Sequence, residues 1–115
     1  MKGDVMSGLV IELSDAQFKK EVESSNIPLM VDFWASWCGP CAMMAPVVEE
    51  VAKEYKDRCR FAKVNVEENQ SVASNVGIMT IPTFVFFKKG KEISRLSGAV
   101  GKKELAKRVE AAISA

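Results

Sequence analysis

Histidine is absent from this chain of 115 residues. Its ordinary pKa lies near neutrality and it is the commonest metal ligand, so its absence excludes a Cys-His nucleophile and a Cys2His2 zinc site. Cysteine is scarce. Three cysteines are odd in number and too few for two disulfides, unlike a secreted scaffold built on disulfides. Neither sign of charge dominates, since 16 basic and 15 acidic residues leave a net charge of +1. Nucleic acid or an anionic membrane surface would require clustered positive charge, so neither is an expected partner. No apolar run approaches the roughly 20 residues of a membrane-spanning helix. The N-terminal stretch "MKGDVMSGLVIELSDAQ" carries one lysine, an early Asp4 and an apolar run broken by Gly8 and Glu12. It lacks the apolar region and cleavage site of an export signal, and a reducing cytoplasm is the expected compartment. There are no repeats, low-complexity segments or interdomain linkers. With 48% hydrophobic and 27% charged residues, one compact domain over residues 1–115 is expected.

What is there reads as alternating strands and helices. "LVIEL", residues 9 to 13, is a short strand that stops at Ser14, and Ser14 with Gln17 has the spacing of a capping box before a helix carrying Phe18 and Val22 on one face. The run from Leu29 to Trp34 is apolar on both alternating faces except at Asp32, which predicts a central strand covered on both sides. "CAMMAPVVEEVAKEY" has helical spacing through Met44, Val48, Val51 and Tyr55 and is interrupted by Pro46, where a kink is expected. "RFAKVNV" alternates, with Phe61, Lys63 and Asn65 on one face. "NQSVASNV" reads as a short helix ended by Gly77. A hairpin around "KKGK" and an amphipathic helix with Leu105, Val109, Ala112 and Ile113 on one stripe complete the chain. This order predicts an α/β architecture with a mixed sheet, parallel in its first part, and helices on both faces.

The chemistry centres on "DFWASWCGPC". Pro40 suits the first helical position, which puts Cys38 at a helix N-terminus and Cys41 one turn further in on the same side. Free amides and the helix dipole favour a thiolate at Cys38, while Cys41 is expected to be shielded. A helix terminus supplies ~0.3–1 kcal/mol, up to ~2 when partly buried. Since one pKa unit corresponds to about 1.4 kcal/mol, the dipole accounts for about one unit. A shielded Cys41 needs a proton acceptor before it can attack a mixed disulfide. With no histidine, the available acceptor is a carboxylate, and Asp32 on a strand covered on both faces would be desolvated and its pKa raised toward neutrality. Lys63, on the neighbouring strand, would lie beside Asp32 and moderate that rise.

These residues resemble the thioredoxin family over nearly the whole chain, with "IPTFVFF" and "LSGAVGKKEL" at the family's distances behind the cysteines. The resemblance implies a thioredoxin fold, a five-stranded mixed sheet flanked by four helices, and dithiol-disulfide exchange. It implies Cys38 as attacking nucleophile, Cys41 as resolving cysteine, Asp32 as buried proton acceptor and Lys63 as its partner. Gly39 and Pro40 would tune the redox pair. Pro82 matches the family's cis-proline, where the backbone of Ile81 pairs with an extended substrate and the two sulfurs are closed to a metal. Trp37, Gly39, Pro40, Ile81, Pro82, Gly98 and Ala99 would form a flat uncharged docking surface. The implied partners are disulfide-containing proteins and an NADPH-dependent thioredoxin reductase, with no cofactor bound to the chain itself, which is expected to be a monomer. Glu67 stands where many members have aspartate, and Met79 where a basic residue is frequent. Cys59 has no role in the family pattern.

Other readings start from the same residues. A cysteine pair is half of a zinc site, but a second pair is missing. An oxidase or isomerase would use the same fold, yet in such relatives a histidine commonly precedes the second cysteine, where Pro40 stands here. A binding subunit would use the docking surface without turnover.

Overall fold

The computed structural model describes residues 8–115. Residues 1–7 of the stretch in which no export signal is expected lie outside the described residues. The elements are β1 (Val10–Glu12), α1 (Asp15–Ser24), β2 (Leu29–Trp34), α2 (Gly39–Tyr55), β3 (Arg60–Asn65), α3 (Gln70–Val76), β4 (Thr83–Lys88), β5 (Lys91–Ser97) and α4 (Lys102–Ser114). The strands form one mixed sheet in the order β1-β3-β2-β4-β5. The β1–β3 and β3–β2 ladders are parallel, and the β2–β4 and β4–β5 ladders antiparallel. Among the described residues, these five strands and four helices make the thioredoxin fold expected from the sequence.

Strand β2 is central, and its alternation divides the core. Leu29, Val31 and Phe33 face one apolar layer with Val22, Val72, Val85 and Phe87. Met30 faces the other, with Met44, Val48 and Val51 of α2 and Leu105 and Val109 of α4. Asp32 shares the Met30 face by the two-residue period of a strand, so a carboxylate is carried into the layer beneath α2.

Local signals in the sequence explain the boundaries. Ser14 and Gln17 form the capping box at the start of α1. Lys89 and Gly90 both have positive φ, 53° and 84°, which matches a two-residue turn whose twist suits a hairpin. Of the Met43, Met44 pair, Met44 is buried and Met43 exposed. Helix α2 runs unbroken through Pro46 from Gly39 to Tyr55. Helix α3 ends at Gly77, whose φ of 77° is left-handed, with Gly77 N–H donating to Ser74 O and Ile78 N–H to Ala73 O. A Cβ at position 77 would meet nothing within 4 Å. Gly77→Ala is therefore expected to cost only the backbone penalty of roughly 1–2 kcal/mol, read as a lower urea midpoint. A midpoint equal to the parent's would mean that residue 77 carries no left-handed penalty.

Candidate active site

The cysteine pair sits where β2 gives way to α2. Cys38 is the residue before the first helical position, and its Sγ accepts the N–H of Cys41 at 3.1 Å. A sulfur at this position meets amides that have no partner within the helix and the positive end of the helix dipole. Gly39 is the first helical residue and Pro40 the second, one position later than the sequence suggests. The shift costs nothing, because the second amide of a helix also lacks an internal partner. The pair is closed as a disulfide, with 5.2 Å between the Cα atoms. Cys38 and Cys41 are 5% and 6% exposed. Cys41 is thus buried in the closed pair, and Cys38 is buried with it.

Beneath the disulfide lies a cavity of about 300 Å³, lined by Asp32, Trp34, Cys41, Ala45, Pro46 and Lys63 among others. Asp32 is 7% exposed, and its Oδ1 has no hydrogen-bond partner within the protein. Burial pushes its carboxyl up to about 7, against the pull of the Lys63 charge. Asp32 and Lys63 are register partners in the parallel ladder. The lysine does not close a salt bridge on the carboxylate, however, since none joins the two among the described residues. Its Nζ lies 5.2 Å from the centre of the Trp34 ring, an electrostatic contact with the ring face. Lys63 therefore acts on Asp32 as a neighbouring charge and not as a bonded partner.

The expected docking residues differ in exposure, and Pro82 is buried. Trp37 is 68% exposed, and Gly39, Pro40 and Ala99 are also exposed. Ile81 packs against the cluster of Ala35, Cys38 and Cys41. The Ile81–Pro82 bond is cis. Pro82 O accepts the N–H of Gly98 at 2.8 Å, and Gly98 has φ 92°.

Sequence reasoning missed the cavity. Its signal was available: Ala42, Ala45, Pro46 and Glu49 recur at helical spacing and all line it, so three small side chains share one face of α2. The loop after β2 is tied to the loop after β3 by Ser36 Oγ donating to Glu67 at 3.1 Å, a use for Glu67 that the sequence did not suggest. Cys59 is buried, and burial pushes its thiol up to about 12, opposed by a backbone hydrogen bond from Met30. Among the described residues, no three cysteine, aspartate or glutamate side chains gather as a metal site.

Comparison with known proteins agrees with this geometry. The family model described as "Thioredoxin" matches residues 9–111. The chain is 54% identical over 94 residues to Thioredoxin 1 of Synechococcus elongatus, covering 82% of this chain and 88% of the relative. It is 48% identical over 99 residues to Thioredoxin 1 of Nostoc sp., covering 86% and 92%. It is also 46% identical over 99 residues to a bifunctional thioredoxin reductase/thioredoxin of Mycobacterium leprae, covering 86% of this chain and 22% of that protein. A cysteine pair at a helix N-terminus over a buried carboxyl, carried on this fold and matched along nearly its whole length, places the chain in the thioredoxin family of thiol-disulfide oxidoreductases.

Proposed function

We propose that the chain reduces protein disulfides with Cys38 as nucleophile, Cys41 as resolving thiol and Asp32 as the group that takes the Cys41 proton. The observation that carries this assignment of roles is the buried Asp32 carboxyl, its Oδ1 without a hydrogen-bond partner, in the cavity that Cys41 also lines. In the reduced chain the Cys38 thiolate attacks a substrate sulfur, forming a mixed disulfide as the substrate S–S bond breaks and one thiolate leaves. Asp32 then accepts the Cys41 proton. The Cys41 thiolate attacks the Cys38 sulfur, which closes the Cys38–Cys41 bond and frees the second substrate thiol. Lys63 keeps the carboxyl from rising further and so holds it near the working pH. Gly39 and Pro40 let the chain enter the helix at the sulfur.

Trp37, Ile81, Pro82, Gly98 and Ala99 receive an extended segment of the substrate in this reading. Electrons return through a thioredoxin reductase that consumes NADPH, so the chain itself needs no bound cofactor. The relative that carries both names in one polypeptide supports that partnership. We place the chain in the cytoplasm as a monomer of one domain, residues 1–115. The cysteine left outside the pair, Cys59, suits a reducing compartment.

The test is the equilibrium of the Cys38–Cys41 pair against a defined glutathione buffer. A potential more reducing than the cytosolic glutathione pool is expected, because such a pair donates electrons to proteins. A clearly more oxidising pair would instead make or shuffle disulfides, and the reductase reading would fall.

A further inference from the structure

The segment 77–82 brings Ile81 to the cysteines. At its far end Thr83 Oγ1 donates to Thr80 O at 2.7 Å, and Gly98 N–H holds Pro82 O. At its near end the chain leaves α3, and Met79 beyond it is 90% exposed. Ile78 packs against the layer beneath α1 and α3, and among the described residues a side chain of another element also hydrogen-bonds the backbone at this near end. Arg95 of β5 donates from Nη2 to Val76 O at 2.8 Å and from Nη1 to Gly77 O at 3.3 Å. The same guanidinium donates from Nε to Glu92 Oε2 at 2.6 Å and from Nη2 to Glu92 Oε1 at 2.7 Å. A planar fork is suited to both tasks: it grips a carboxylate with two parallel bonds and offers its remaining donors to the negative end of a helix.

This arrangement depends on an irregularity of the strand. Residues three apart on a regular strand point to opposite faces, so Glu92 and Arg95 should not meet. Here the β4–β5 register shifts between Phe86 and Phe87: Phe86 faces Ser94 while Phe87 faces Glu92, which leaves Ile93 as an extra residue. The bulge restores Glu92 to the face of Arg95, whose register partner Val85 belongs to the layer beneath α1 and α3. Arg95 is held from behind as well, because its own carbonyl accepts Arg108 Nη1 of α4 at 3.0 Å.

We infer that Arg95 is a positioning residue for substrate recognition: with Glu92 as its brace, it fixes the C-terminus of α3 and so the height at which segment 77–82 meets an incoming protein. The inference rests on the docking role proposed above for Ile81 and Pro82. A loosened segment occupies its docking geometry for part of the time only, and apparent affinity for a protein falls by that fraction. A small disulfide that reaches Cys38 without the segment is spared that loss.

The experiment compares the parent with Arg95→Met and Arg95→Lys, using insulin as protein disulfide and hydroxyethyl disulfide as small one. For Arg95→Met, the ratio of kcat/KM for insulin to that for hydroxyethyl disulfide should fall roughly tenfold, through KM and not kcat. Arg95→Lys, which keeps one charged donor but no fork, should fall between. Amide exchange should quicken at residues 78–81 in Arg95→Met while β2 stays protected, a readout that needs no turnover. A ratio unchanged from the parent, or unchanged exchange at 78–81, overturns the inference. A parent unable to reduce insulin overturns the docking reading instead, and the exchange result then decides whether Arg95 holds the segment.

Discussion

Cys41→Ser is expected to convert a turnover catalyst into a trap. With the second sulfur gone, the Cys38 mixed disulfide can form but not resolve, so insulin reduction should drop roughly 10³-fold or more while a covalent adduct accumulates. Cys38→Ser should lose turnover to the same extent and form no adduct, because the sulfur that caps α2 is the one presented to the helix amides. Mass spectrometry of each variant after incubation with insulin separates the two. Adduct on Cys38→Ser, through Cys41, would reverse the assignment of the roles. Absence of adduct on Cys41→Ser would remove the exchange mechanism.

Asp32→Asn should have the largest effect on stability, and its size depends on pH. Burial raises the Asp32 carboxyl from 3.8 to about 7, so between these values the folded chain binds a proton that the unfolded chain does not. The contribution of Asp32 to stability is therefore complete below about pH 4, is lost as pH rises, and levels off above about pH 7 with the charged carboxylate buried. A separation of about 3 units corresponds to roughly 4 kcal/mol at most. That is a large share of the ~5–15 kcal/mol that holds a domain of this size. Asn at position 32 does not titrate, so the variant should gain little near pH 4 and up to roughly 4 kcal/mol above pH 7. Urea unfolding of both oxidised proteins at pH 4, 6 and 8 gives the two curves, and parallel curves would mean that Asp32 titrates normally. The same substitution should slow resolution of the mixed disulfide at neutral pH more than attack by Cys38. Greater stability with slower resolution marks a carboxyl kept for chemistry at the expense of the fold.

Much of this is legible in the sequence. Asp32 interrupts a run that is otherwise apolar on both faces, and only a strand covered on both sides writes that pattern. The capping box at Ser14, the turn at Lys89 and Gly90 and the stop at Gly77 are local chemistry, readable over three or four residues. What escaped depends on partners distant in sequence. Lys63 could be placed beside Asp32, but only packing sends its Nζ over Trp34. The bulge at Ile93 was invisible because strand alternation assumes a regular ladder, so nothing in the sequence paired Arg95 with Glu92. The cavity had a trace in the small residues of α2, whose meaning appears once the opposing carboxyl is in place.

The cysteines and Asp32 lie within one unbroken stretch from Leu29 into α2, whereas Ile81, Pro82, Gly98 and Ala99 come from a later one. The two stretches adjoin along the antiparallel β2–β4 ladder, where Phe33 faces Thr83. That seam is stitched by backbone hydrogen bonds, which every residue but proline can make. Exposed positions of the later stretch, Met79 foremost, can therefore drift without disturbing the redox couple. A lineage built on this plan inherits one electron donor and is free to diversify its clientele.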